Sequence, residues 1–152
     1  MVLMIRPAFA LNAGLLFERL RAANVLAGQS PRAAARALRL ARLPFRVGRL
    51  PVAGKAQPIE VNDLELSDTK PFNVSRSHFA IERVLDGVQV RDRGSYVGTI
   101  VNRVQIGGHR HVATVPLAVG ENDVLADSSR SPFRFRVVVA LRQRLLLTPG
   151  PI

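Results

Sequence analysis

The chain has 152 residues, a length typical of one domain or of one domain with an extension. It contains no cysteine, which excludes disulfides, thiol catalysis and thiolate metal sites in these residues and fits a reducing, cytoplasmic setting. Its formal net charge of +11 is concentrated near the start, because residues 1–50 hold nine arginines and one acid, Glu18.

Residues 1–43 predict a basic helical extension. Apolar residues recur every three or four positions over residues 8–27, the spacing of one helix face. A second helix is expected over residues 31–42, because Ser30-Pro31 is a typical helix start and Pro44 disfavours helix in the residue before it. Arginines line one side of this second helix: Arg32, Arg36, Arg39 and Arg42. They predict either a solvated face or contact with a protein, nucleic acid or anionic membrane surface.

From residue 44 the pattern changes to short apolar or alternating runs between turn residues. Asp86-Gly87 lies between two such runs and is typical of a β-hairpin. Nine strands are expected, at residues 45–49, 63–66, 79–84, 88–91, 99–101, 104–106, 111–117, 124–125 and 133–141. Many short strands predict an antiparallel β-sandwich or barrel over residues 44–141, followed by a loose tail over residues 142–152.

Three polar clusters follow each other along these strands. Val47-Gly48-Arg49 ends the first strand, and Ser75-Arg76-Ser77-His78 precedes another. The third cluster turns from one strand into the next and reads Asp92-Arg93-Gly94-Ser95-Tyr96-Val97-Gly98-Thr99-Ile100-Val101-Asn102. The ordered set resembles the signature of the forkhead-associated (FHA) family over about residues 44–141. The resemblance implies an antiparallel β-sandwich that binds phosphothreonine peptides through loops at one end.

The resemblance also implies roles for individual residues. Arg49 and Ser75 match the main phosphate contacts, and Arg76 matches a second phosphate or peptide contact. Gly48 and His78 match residues that support the site. This carry-over agrees with the chemistry of the side chains, because an arginine fork suits two phosphate oxygens and a serine hydroxyl supplies a short donor.

The turn after Ser95 departs from the family pattern. Ser95, Tyr96 and Val97 are candidate peptide contacts, but Val97 stands where relatives usually have an asparagine that hydrogen-bonds the peptide backbone. Val97 has no polar group for that bond, so the phosphate pocket is expected to be intact beside a weakened or rebuilt peptide contact. Lys55 and Lys70 are further candidates for ligand contact, with solvated surface charge as the simpler interpretation.

Patterns typical of enzymes and metal sites are incomplete in this sequence. Ser67 and Lys70 have the spacing of some acyl enzymes, but Pro71 disfavours the helix that this chemistry needs. Ser75 and His78 lack a readable orienting acid and oxyanion hole. His109 and His111 lack the further ligands that a zinc site requires. We therefore expect no enzymatic activity, no metal and no cofactor.

The sequence leaves two functions open. The first is a phosphopeptide-binding module that docks onto phosphothreonine-containing partner proteins in kinase-dependent signalling, with no small-molecule substrate. The second is a phosphate-independent scaffold for protein interactions, which Val97 favours and in which the basic N-terminal segment adds contacts.

Overall fold

The computed structural model describes residues 2–7, 19–20, 38–40, 42–55 and 60–140. These residues form two six-stranded sheets and contain no helix. Consequently no helix among them is long and apolar enough to cross a membrane. The predicted all-β architecture with two sheets is therefore confirmed.

The strands run in chain order from β1 to β12. Their bounds are β1 Val2–Pro7, β2 Arg19–Leu20, β3 Leu38–Arg39, β4 Phe45–Arg49, β5 Leu64–Leu66, β6 Phe79–Val84, β7 Gly87–Asp92, β8 Thr99–Val101, β9 Val104–Ile106, β10 Thr114–Pro116, β11 Gly120–Ala126 and β12 Arg134–Ala140. One sheet has the order β3-β1-β12-β11-β8-β9 and the other β10-β7-β6-β4-β5-β2. All pairs are antiparallel except β4 with β5.

The predicted helical extension is wrong wherever the structure describes residues 1–43. Val2–Pro7 pairs along β12, Leu38–Arg39 pairs with β1, and Arg19–Leu20 pairs with β5 in the other sheet. Leu3 and Ile5 are buried on either side of exposed Met4, which is the two-residue alternation of a strand. Pairing with distant strands therefore overrides local helix preference at these positions. The rest of the two predicted helices and the tail from residue 142 lie outside the described residues.

The core lies between the two sheets. In β12, Phe135, Val137 and Val139 are buried, and they alternate with partly exposed Arg134, Arg136 and Val138, which confirms the predicted alternation. The rings of Phe79 in one sheet and Phe135 in the other lie 6.0 Å apart, centroid to centroid. Burial of such large side chains stabilises the sandwich, at about 1.5–3 kcal/mol for each fully buried one.

Strand register brings the polar clusters to one end of the sandwich. The Asp86-Gly87 hairpin pairs β6 with β7 so that Phe79, the first residue of β6, lies opposite Asp92, the last of β7. At the same end β4 finishes at Arg49 and β8 begins at Thr99. We call this the loop end; it carries the segments around residues 49–55, 67–78, 93–98 and 107–113.

Candidate functional site

Arg49 is attached to the loop before β6 through both its backbone and its side chain. Its backbone N–H donates to the carbonyl oxygen of Ser75 (2.9 Å), which joins the end of β4 to that loop. Its Nη1 donates to the carbonyl oxygen of Val74 at 3.2 Å. The guanidinium carbon lies 3.7 Å from the ring centroid of Phe72. The arginine predicted to bind phosphate is therefore already oriented.

Asp68 shapes the loop that receives this guanidinium. One carboxylate oxygen accepts hydrogen bonds from the N–H groups of Asn73 (2.6 Å) and Val74 (2.8 Å). The other accepts from the N–H of Thr69 at 2.9 Å. The Asp68 carboxylate is thus hydrogen-bonded to the backbone of its own loop, which fixes that loop. The Arg49 guanidinium remains able to bind another anion.

The charges around Arg49 favour an added anion. Partial burial lowers the pKa of Arg49, the negative charge of Asp68 raises it, and the positive charge of Arg76 lowers it again. The guanidinium stays protonated because an arginine pKa lies far above neutral pH. Arg76 is exposed, and its side chain makes no hydrogen bond within the described residues. Arg49 and Arg76 are therefore neighbouring cations whose positive charge is only partly neutralised.

Ser75 contributes a hydroxyl beside these cations. Its Oγ accepts a hydrogen bond from the backbone N–H of Tyr96 at 3.0 Å. Because an N–H can only donate in this contact, the serine hydroxyl proton remains available to a ligand. Three predicted phosphate contacts, Arg49, Ser75 and Arg76, are thus brought together on the end of β4 and one neighbouring loop.

His78 lies beneath this group and is fully buried. Its Nδ1 accepts from the N–H of Ser75 (2.9 Å), so Nε2 carries the proton and donates to the carbonyl oxygen of Gly98 (2.9 Å). Burial lowers the pKa of the imidazole, which is consistent with a neutral ring. His78 therefore links the loop before β6 to the loop before β8 from the inside.

Gly48 lets β4 approach that loop closely. A Cβ at this position would overlap the carbonyl oxygen of Arg76 and lie 2.6 Å from Nδ2 of Asn62. Asn62 Nδ2 itself donates to the Arg76 carbonyl at 2.8 Å. A larger residue at position 48 would therefore displace the loop that carries Ser75 and Arg76.

Asp92 organises the turn with the three candidate peptide contacts. Its carboxylate accepts from the N–H groups of Gly94 (3.0 Å) and Ser95 (2.9 Å) and from the hydroxyls of Ser95 (2.6 Å) and Thr99 (2.7 Å). Ser95 is buried and its hydroxyl is directed inward, whereas Tyr96 is 79% exposed and Val97 is 38% exposed. The turn thus presents Tyr96 and Val97 at the surface but not the Ser95 side chain.

Sequence reasoning missed a buried arginine that connects β4 to the next loop. The Arg93 side chain is only 2% exposed. It donates to Asn62 Oδ1 (2.6 Å), to the Val47 carbonyl (3.3 Å) and to the Glu60 carbonyl (3.1 Å). Burial lowers its pKa and the charge of Glu60 raises it. The sequence analysis includes Arg93 in the third polar cluster but assigns it no role, because its partners lie far away in the chain.

The remaining candidates lie on exposed surface. Lys55 and Lys70 are exposed and make no described side-chain hydrogen bond. His109 and His111 are also exposed. In the described ranges, no group of three or more histidine, cysteine or acidic residues could hold a metal ion.

Comparison with known proteins agrees with this geometry. The family model described as FHA domain matches residues 45–122. The crystal structure of the FHA domain of the CT664 protein from Chlamydia trachomatis is similar, with a TM-score of 0.50 and 21% identity over 93% of this chain and 100% of that chain. That likeness supports the fold alone. No curated protein matches in sequence. Since the family model covers the strands and loops that build the site, the chain belongs to the FHA domain family.

Proposed function

We propose that this protein docks onto phosphothreonine-containing segments of partner proteins, with Arg49, Ser75 and Arg76 contacting the phosphate. FHA domains are generally phosphopeptide-binding modules. The observation that carries the proposal is the oriented Arg49 guanidinium, placed against Phe72 and bonded to Val74 beside the hydroxyl of Ser75. Binding of this kind would follow the action of a kinase, and a cysteine-free chain fits a cytoplasmic setting.

The electrostatics support a doubly charged ligand. A phosphate monoester carries about 1.5–2 negative charges at neutral pH and offers three strong acceptor oxygens. Arg49 and Arg76 each lack a carboxylate ion pair within the described residues, and the positive charge of Arg76 lowers the pKa of Arg49. A phosphate between them would remove that repulsion and form charge-assisted hydrogen bonds. Their placement on loops tied by backbone hydrogen bonds reduces the ordering cost of binding.

The geometry favours an interaction module over an enzyme. Both ring nitrogens of His78 are engaged by backbone groups, the N–H of Ser75 and the carbonyl of Gly98. His78 therefore does not accept the Ser75 hydroxyl proton, and the pair lacks the contact that a nucleophile and its base need.

A second function, phosphate-independent scaffolding, is favoured by Val97. This residue lies at the surface of the turn without a polar side-chain group, so a peptide backbone there gains no hydrogen bond from it. The scaffold interpretation predicts that partner binding does not depend on Arg49. The phosphopeptide proposal predicts that it does.

The test is a titration with degenerate peptide libraries that contain phosphothreonine, phosphoserine or unmodified threonine. We expect binding to the phosphothreonine library, with phosphoserine weaker by about 1–3 kcal/mol for the missing methyl group. Arg49→Ala should remove about 2–5 kcal/mol of binding free energy, because it deletes one partner of a close charge pair.

Arg83→Ala is the matched control for this titration. Arg83 is exposed and lies near the end of β6 away from the loop end, so its removal should leave binding unchanged. Thermal unfolding of each variant establishes that it is folded. Equal binding of phosphorylated and unmodified libraries by folded protein would reject the phosphopeptide proposal in favour of the scaffold.

A further inference from the structure

Arg110 is an exposed cation directly beside the candidate peptide-contacting turn. Its Nη1 donates to the carbonyl oxygen of Val97 at 3.3 Å. The β9–β10 loop that carries it packs tightly on this turn, since a Cβ on Gly108 would lie 2.6 Å from the same carbonyl oxygen. The backbone N–H of Arg110 also donates to the Gly107 carbonyl at 3.1 Å. The guanidinium and the backbone of Arg110 are therefore each held by a hydrogen bond.

The surface around Arg110 is continuous with the phosphate-binding residues. Ser75 Oγ accepts from the N–H of Tyr96 at 3.0 Å, and Val97 follows Tyr96 in the chain. The Tyr96 ring meets the imidazole of His109 edge to face, with centroids 6.3 Å apart. A peptide whose phosphate lies at Ser75 would pass Tyr96 to reach Arg110 one loop away.

The charge of this surface is positive because its acids are turned inward. Asp68 accepts three backbone hydrogen bonds, and Asp92 and Asp127 are buried. Arg110 makes no ion pair within the described residues. Its one described side-chain hydrogen bond is through Nη1, which leaves the Nη2 and Nε donors for a ligand.

We propose that Arg110 binds an acidic side chain of the partner segment, close in sequence to its phosphothreonine. This inference rests on the proposed function and names the class of segment that the site prefers. A guanidinium fork matches a carboxylate in shape and charge, whereas an amide of the same size offers only one acceptor oxygen and no charge. Arg110 is thus a specificity-determining residue.

The test uses labelled phosphothreonine peptides in which one acidic residue is moved through the positions flanking the phosphothreonine. Each peptide has a twin with the matching amide, aspartate against asparagine or glutamate against glutamine. Wild-type protein should bind the acidic peptide about two- to fivefold more tightly than its twin at one or two positions, as expected for an exposed ion pair. Raising the salt concentration should reduce that preference.

Arg110→Gln identifies the residue responsible, with Arg83→Gln as the control. The preference should disappear in Arg110→Gln and persist in Arg83→Gln, while both variants still require the phosphate. Phosphate-dependent binding without any acidic preference would overturn the inference and leave the proposed function standing. An acidic preference that survives Arg110→Gln would also overturn the inference. So would an equal loss of affinity for acidic and amide peptides in Arg110→Gln, which would mean that Arg110 only supports Val97. Binding that ignores the phosphate would instead refute the proposed function itself.

Discussion

The loop end has an exposed level and a buried level, and arginine occurs in both. Arg49, Ser75 and Arg76, the proposed contact residues, present donors at or near the surface. Beneath them Asn62, His78, Asp92 and Arg93, the support residues, point their polar groups at the backbone and at each other. Arg76 is exposed to solvent, whereas the Arg93 side chain is buried and holds a loop.

This difference indicates how free energy is divided between folding and binding. A buried hydrogen-bond partner is costly to remove, because the groups left behind lose water and gain no replacement. An exposed donor is returned to water when its ligand is absent, so it contributes mainly to affinity. Substitutions of support residues should therefore lower stability first, and substitutions of contact residues should lower binding alone.

The largest stability effect is expected for Asp92→Ala. The substitution removes the acceptor of two backbone N–H groups and of the hydroxyls of buried Ser95 and Thr99. We expect a loss of about 3–4 kcal/mol in the free energy of unfolding. Urea titration measures it, with Asp86→Ala in the exposed hairpin turn as the control, expected within about 0.5 kcal/mol of wild type. A urea midpoint for Asp92→Ala equal to that of Asp86→Ala would contradict the expectation that support residues contribute mainly to stability.

Gly48→Ala should have the next largest effect. The added methyl group overlaps the Arg76 carbonyl and the amide of Asn62, so β4 and the loop before β6 must separate. We expect a loss of about 2–3 kcal/mol of stability, typical of overpacking, together with weaker phosphopeptide binding because Ser75 and Arg76 move. Urea titration and peptide titration of the same sample measure the two effects. Wild-type affinity in a destabilised Gly48→Ala protein would show that the loop does not position these contacts.

Acidification should lower the free energy of unfolding through His78, one of the support residues. Burial lowers the pKa of the folded imidazole below the value of about 6.5 that it has when unfolded. Between those two pKa values the unfolded chain binds more protons, so stability falls as pH drops below about 6.5, by at most about 1.4 kcal/mol per pH unit. Protonation of Nδ1 would also break its bond with the Ser75 N–H.

Urea titrations between about pH 5 and pH 7 measure this slope. His78→Gln should be less stable at neutral pH but show a flatter dependence, and His111→Gln on the exposed loop should keep the wild-type slope. A slope unchanged by His78→Gln would assign the dependence to other groups.

The sequence predicts the strands after residue 44 better than it predicts the structure of the segment before residue 44. β6, β8 and β9 have the expected bounds because turn residues delimit each one, such as Asp86-Gly87 after β6. The segment before residue 44 has helical spacing in its apolar residues, yet none of its described residues is helical and most of them lie in strands. Their partners β12 and β5 lie far away in the chain, so no local pattern reports the pairing.

The candidate site shows the same limit on a smaller scale. Gly48, His78 and the three proposed contact residues match family positions in a recognisable order of motifs. Arg93 lies in the same motifs, but it donates to the carbonyl of Val47, 46 residues earlier in the chain, and no local pattern reports that bond. Ser95 is the instructive case. The family resemblance predicts a peptide contact for Ser95, but Ser95 is buried. Asp92 lies three residues before it, and a short acidic side chain commonly accepts local backbone hydrogen bonds at that spacing.

The smallest expected effect, Phe72→Leu, tests whether Arg49 owes its orientation to the contact with the Phe72 ring. Phe72 is 37% exposed, so the substitution should leave the free energy of unfolding almost unchanged. The cation–π contact contributes about 0.5–1 kcal/mol at such a site, which corresponds to about a two- to fivefold loss of phosphothreonine-peptide affinity. Phe72→Tyr keeps an aromatic face and should bind like wild type. Equal affinities for the leucine and tyrosine variants would mean that the Val74 carbonyl orients Arg49 without help from the ring.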